Sequence, residues 1–344
     1  MSEPGKDVNR KTFHRLIKSV AMFLKSPAGT SARWLLAALL VLMFAINAMN
    51  VANSYVGRYF MSAIEGRDSA GFARYAWLYA GVFAGSTMVG VLFRFTEERL
   101  GLLWRDWLTR RIAGLYIDNQ LYLKMAGTDG VSNPDQRMTE DVRQLTTTTL
   151  SFLLMILNGT LAAVSFSGVL WTISPRLFLV AVLYAAIGSA LTIWLGRPLV
   201  RLNYQQADRE ADFRTELINT TRNAKQIAQA GQGTDVRQRL MDRIDSLVGN
   251  LRNIIAINRN LGFFTTGYNY MIQLIPALIV APMFIRGDVE FGVIGQSTMA
   301  FATLLGALSL IITQFQAISS YASVVSRLGE FSEAAENASA PSNP

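Results

Sequence analysis

Six stretches of this chain contain no Asp, Glu, Lys or Arg: 34–57, 75–93, 144–175, 177–196, 260–285 and 291–326. Each reaches the ~18 residues that read as a membrane crossing, because a hydrocarbon core about 30 Å thick takes about 20 residues at 1.5 Å rise. A core helix of a soluble domain keeps a polar face. The run Leu36-Ala-Ala-Leu-Leu-Val-Leu-Met-Phe-Ala45 has none. Charged residues make up 16% of the chain, against about 25% in soluble domains. These features imply an all-α integral membrane protein that crosses the bilayer six times. The first apolar run starts late and is long enough to span, so it reads as the first membrane helix and not as a cleaved signal peptide.

Orientation follows from the basic residues. The connections alternate between long and short: residues 58–74, Arg176 and 286–290 on one side, and 1–33, 94–143, 197–259 and 327–344 on the other. The second side holds 27 Lys and Arg against five on the first. Because basic residues stay in the cytoplasm, both termini and both long loops are expected there, in a bacterial plasma (inner) membrane. The net charge of +8 is thus a topology signal and not the mark of a nucleic-acid partner.

The segment 1–33 reads as a cytoplasmic N-terminus, 34–326 as the six-helix domain and 327–344 as a linker and disordered tail. Within 11–25, Phe13, Leu16, Ile17, Val20 and Phe23 or Leu24 recur at helical spacing between basic residues. Such an amphipathic helix suits the bilayer interface. His14 is the only histidine and cysteine is absent, which excludes thiolate zinc and iron–sulfur sites. No metal or cofactor is expected in the chain itself.

Both long loops read as helical. No Pro occurs from Tyr75 to about Lys124, and the turn cluster Gly127-Thr-Asp-Gly130 follows. Arg201 to Ala230 lacks Gly and Pro, Gly231-Gln-Gly233 breaks it, and Thr234 to Leu261 runs back. Helices of that length outrun the bilayer, so two helical hairpins are expected beyond it. Polar helices standing in water need packing partners.

Asn133-Pro-Asp-Gln-Arg-Met-Thr-Glu-Asp141 lies at the first loop tip. Pro134 favours an extended entry and a new helix start, and Asp135 suits the positive helix end. A short helix across the tip would present Gln136, Arg137, Glu140 and Asp141 outward. This segment resembles the first-loop motif of one ABC exporter branch, which contains the peroxisomal fatty-acyl (subfamily D) transporters and the YddA and BacA/SbmA-type proteins. Leu103-Trp-Arg-Asp-Trp-Leu-Thr109, Tyr116 to Tyr122, Glu210-Ala-Asp-Phe-Arg214, Asn53-Ser-Tyr55 and Phe60-Met-Ser-Ala-Ile-Glu-Gly-Arg-Asp68 are similar to that branch as well. The resemblance covers residues 30 to 335. It implies the type IV exporter transmembrane domain, a homodimer, and coupling of both loops to an ATPase. Asn133 to Arg137, Glu140 and Asp141 would serve in the first loop, and Ile227, Ala228 and Gly231 in the second.

The chain departs from the branch in two respects. In Asn223-Ala-Lys-Gln-Ile-Ala-Gln-Ala-Gly-Gln-Gly233, the residues Lys225, Gln229, Ala230 and Gln232 stand where acids and aromatics are the pattern. Neither a Gly-x-x-x-x-Gly-Lys-Ser/Thr loop nor Leu-Ser-Gly-Gly-Gln occurs, so the chain itself is not expected to be an enzyme. ATP and Mg would act through a separate ATP-binding subunit or a lost segment. Otherwise the chain would work without an ATPase, as the proton-driven BacA/SbmA proteins do, or persist as a non-transporting scaffold.

Amides inside a span are costly unless they face a cavity or another helix. Asn47, Asn50, Asn158, Tyr268, Asn269, Gln273 and Gln314 are therefore candidates for a substrate path, and equally for bonds between helices. Tyr270 and Gln316 belong to the same set. Glu97, Glu98, Asp106, Glu210, Asp212 and Glu216 read as an ionic lattice between packed helices. No charged residue falls inside a span, so no midplane ion relay is visible. The reading is a permease working by alternating access on a peptide, cobalamin-like or lipid-like substrate.

Overall fold

The computed structural model describes residues 17–118 and 137–314, with single positions at 321, 324, 325, 328 and 329. The runs 34–57, 75–93, 177–196 and 260–285 each lie inside a longer helix, and 144–175 fills the helix Val142–Ile173 and ends in the turn at Ser174 and Pro175. After α1 (17–25) come α2 (Gly29–Glu65), α3 (Ser69–Asp118), α4 (Val142–Ile173), α5 (Pro175–Arg222), α6 (Ala224–Gln229), α7 (Gly233–Ile285) and α8 (Gly292–Thr313). Six of these helices are long and apolar enough to span a bilayer. Of the last run, read to 326, α8 covers Gly292–Thr313, Gln314 is in a turn, and the described positions 321, 324 and 325 are helical.

Three tight turns join the spans at one end, called here the short-loop end, and each carries its own local chemistry. Asp68 Oδ1 accepts the amides of Ala70 and Gly71 at 3.1 and 3.0 Å, capping α3. Ser174 Oγ accepts the Leu177 amide at 3.4 Å, and Pro175 takes the first helical position, where a missing N–H costs nothing. Gly287, with φ +81°, lets the chain turn where a side chain would be strained.

The chain divides into two compact units, residues 1–178 with 280–344 and residues 179–279. In the first, α2 packs along α3, and α8 packs against α4 and α2. Its core includes Leu39, Leu100, Trp104, Leu145, Leu150 and Leu154, all buried. The amphipathic α1 joins this core. Phe23 is 2% exposed and its ring stacks on Trp104 at 5.5 Å. Residues 11–16 of that expected helix lie outside the described residues.

In the second unit, α5 (48 residues) and α7 (53 residues) form a hairpin. Each is over 70 Å long at about 1.5 Å per residue, far more than the about 30 Å of hydrocarbon. The excess lies at the long-loop end, as expected. One boundary differs from the expectation. The rising helix ends at Arg222, not at Ala230, and α6 is a separate short helix. Thr220 and Thr221 turn their hydroxyls back onto the carbonyls of Glu216 and Leu217, at 2.8 and 3.0 Å. Such back-bonding weakens and bends a helix end.

Candidate functional site

At the long-loop end of the first unit, Arg137–Asp141 forms a π-helical turn running straight into α4 and packing on α3. Asn133, Pro134, Asp135 and Gln136 lie outside the described residues. Glu140 is exposed and accepts from Arg143 at 2.6 Å. Asp141, expected to face outward, is 1% exposed. The continuous turn rotates it onto the side of Val142 and Leu145, which are buried too. Asp141 is therefore a packed residue, and the docking surface of this tip is smaller than its sequence implied.

The second loop tip is α6. None of its residues is buried, Ile227 is half-buried and Ala228 is exposed. Gly231 follows with φ +67°, a conformation that a side chain resists, so the glycine sets the reversal into α7. Behind the tip, α5 and α7 are cross-braced. Arg239 reaches Glu216 at 2.9 Å and Arg243 reaches Asp212 at 3.0 Å, while Arg209 donates to the Ser246 carbonyl. Nearer the spans, Asn250 Nδ2 donates to the Leu202 carbonyl and to Gln206 Oε1, both at 2.9 Å. The acids Asp212 and Glu216 thus tie helix to helix. In the first unit, Arg94 pairs with Glu98 and Arg110 with Asp106 along α3.

Within the spans of the first unit, Asn47 Nδ2 donates to Asn158 Oδ1 at 2.9 Å and to the Met43 carbonyl at 3.0 Å. Asn47 is 4% exposed, Asn50 is half-buried and Asn158 exposed. Gln314 is half-buried beyond α8. The Asn47–Asn158 bond joins α2 to α4, and interhelix bonds in bilayers average only about 0.6 kcal/mol. Asn47→Leu should accordingly lower unfolding stability in detergent by about 0.6 kcal/mol and leave transport near wild type. Abolished transport in a folded variant would move the pair from helix bonding to the substrate path.

In the second unit, Tyr268 stacks on Tyr184, with centroids 4.3 Å apart and planes 8° apart. Each hydroxyl donates to the other residue's backbone carbonyl, at 2.9 Å from Tyr184 and 3.3 Å from Tyr268. Both phenols are thereby satisfied without water. Gly188 allows this, since a Cβ there would sit 2.2 Å from the Tyr268 ring. Beside the pair is a cleft of about 450 Å³ lined by Ile187, Leu191, Phe263, Phe264 and Met271 among others, almost wholly apolar. Asn269 and Gln273 are both exposed on α7 and do not line it.

Comparison with known proteins resolves what these helices belong to. The family described as ABC transporter transmembrane region 2 matches residues 21–285. The chain belongs to that family. Among its relatives, ABC transporter D family member 2, chloroplastic, of Arabidopsis thaliana is 40% identical over 97% of this chain and 48% of its own length. An uncharacterized ABC transporter ATP-binding protein of Synechocystis is 37% identical, over 91% of this chain and 48% of its own. Inner membrane ABC transporter ATP-binding protein YddA of Escherichia coli is 28% identical, over 69% of this chain and 46% of its own. The chain spans about half the length of these relatives. The branch suggested by the first-loop motif is therefore the right one, and the chain is a multi-span ABC transporter membrane region.

Several site features of this family member escaped sequence reasoning. Tyr184 is one, since a lone tyrosine in an apolar run carries no signal until its partner is known. Arg58 and Glu290 fall in two separate short connections of the sequence, yet they pair across 232 positions at 3.2 Å. Ser54 and Gln296, both almost wholly buried, are similarly unmarked by any periodicity.

Proposed function

We propose that the chain forms the permease part of a homodimeric ABC transporter, coupled through its long-loop tips to an ATPase on a partner domain or subunit. The observation that carries this reading is the α5–α7 hairpin. It is cross-braced, extends well past the bilayer, and ends in α6 with its polar residues exposed. Past the charge-free runs, Tyr204, Leu217, Ile218, Met241 and Ile255 are each at least 42% exposed. They lie on the helix extensions, and a second subunit or an ATPase is the cover this reading gives them. A long rigid hairpin is what carries motion between an ATP-driven engine and the spans. The apolar cleft favours a substrate with a hydrocarbon portion among the classes that the branch implies.

Docking at the first tip is the direct test. Single exposed ion pairs contribute only about 0–1 kcal/mol, so two charges are best reversed together. Asp135→Lys with Glu140→Lys adds repulsion toward a basic partner surface and also opposes Arg143, the present partner of Glu140. Transport by the complex in proteoliposomes should fall by at least tenfold, with the melting temperature of the chain near wild type. Glu140→Gln, which removes the Arg143 pair alone, should transport normally. Normal transport by the double variant, together with uptake that uncouplers stop and ATP depletion does not, would replace this reading with a proton-driven one.

A further inference from the structure

At the short-loop end, the antiparallel helices α2 and α8 meet backbone to backbone. The Gly292 amide donates to Ser62 Oγ at 3.1 Å. A Cβ on Gly292 would lie 1.9 Å from the Arg58 carbonyl oxygen. Glu290 closes this contact from above, accepting from Arg58 Nε at 3.2 Å and from Ser62 Oγ at 3.4 Å. One helical turn further in along each helix stand Ser54 and Gln296, 2% and 3% exposed. Among the described residues, neither Ser54 Oγ nor either amide atom of Gln296 has a hydrogen-bond partner. The next turn of α8 is shut off by Ala300 and Phe301, both 0% exposed.

We propose that this seam holds a fixed water, bound by Ser54 and Gln296 and sealed by the Arg58–Glu290–Ser62 contact. A buried polar group without a partner loses its hydration for nothing in return, and native structures place water at such points. The chemistry of the two side chains selects the ligand. The Gln296 amide offers one donor group and one acceptor, and the Ser54 hydroxyl is both. A bare cation would satisfy the oxygens and leave Nε2 idle. Water donates and accepts together, and buried waters typically make about three hydrogen bonds. The backbone contact at Gly292 leaves nothing larger a way in from that end. The proposal is independent of what the protein transports.

Water-edited solid-state NMR of the wild-type chain in a bilayer tests it, with bulk water as the probe. The Gln296 side-chain amide should receive water polarisation clearly faster than a dry buried amide, and more slowly than the exposed Gln229. The comparator is Asn250, 2% exposed, whose amide bonds only to protein. Transfer to Gln296 as slow as to Asn250 would overturn the site. A thermal double-mutant cycle adds a second readout. Ser54→Ala and Gln296→Met should each lower the melting temperature, and the double variant should lose less than their sum, since both act on one ligand. Strictly additive shifts, or singles that raise the melting temperature, would show a dry seam. Should Gln296→Met fail to fold, the wild-type NMR measurement decides alone.

Discussion

Cysteine placed at Ser69 or at Asp288 is expected to react fully with an impermeant maleimide added to sealed cells, and cysteine at Gln229 not at all until detergent is added. All three positions are exposed in the fold, so sidedness alone separates them. The chain has no cysteine of its own, which removes background labelling. The expectation rests on the 27-to-five division of Lys and Arg and on the rule that basic residues remain cytoplasmic. It also rests on the helices, since the long extensions of α3, α5 and α7 past their charge-free runs lie at the basic end. Labelling of Gln229→Cys in sealed cells, with Ser69→Cys protected, would invert the molecule and move the α6 tip away from any cytoplasmic ATPase.

The second large effect is expected at Gly292. The atoms nearest to an added Cβ are the Arg58 carbonyl oxygen, carbonyl carbon and Cα, at 1.9, 2.6 and 2.8 Å. All three are backbone, so no rotamer change relieves the clash, and α8 must slide or tilt from α2. Overpacking of this kind costs about 1–3 kcal/mol and sometimes more. Gly292→Ala should therefore lower the melting temperature in detergent clearly. Gly295→Ala in the same helix is the control, because nothing lies within 4 Å of its would-be Cβ. There the better helix propensity of Ala, up to about 1 kcal/mol, should hold or raise stability. Equal melting temperatures for the two variants would mean that α2 and α8 do not meet at Arg58.

The contrast between these glycines marks what a sequence reveals and what it hides. Long-range solvent preference is written plainly. An absence of charge over 19 or more residues leaves one physical outcome, and each of the six runs holds most of the apolar part of a helix long enough to span. The long extensions of α3, α5 and α7 were legible from runs that carry few helix breakers, though α5 stops at Arg222 inside a run free of Gly and Pro. The candidate site was legible only in part. Asn47 stood out as an amide in an apolar run, and its bond to Asn158 follows from the cost of leaving it alone. Asp141 was misjudged because outward or inward is settled by about 100° of helix rotation, which a π-helical turn alters. Tyr184 with Tyr268, and Ser54 with Gln296, depend on the register between two helices. That register is set by small residues such as Gly188 and Gly292, whose spacing carries no periodic mark. Sequence patterns report the medium that a helix faces far better than the neighbour it touches.

The bracing of α5 against α7 has a mechanical meaning. From Arg197 to Arg222 the helix covers about 38 Å at 1.5 Å per residue. A shift of about 5 Å at α6, roughly one helical turn of travel, then corresponds to a tilt of only about 7–8° where the hairpin enters the bilayer. Two unlinked helices would absorb such a displacement by sliding past each other. The ties from Glu216 to Arg239, from Asp212 to Arg243 and from Asn250 to Leu202 and Gln206 resist that shear at three levels. The pair therefore turns as one beam, a lever that trades a long stroke at its tip for a small, forceful rotation among the spans.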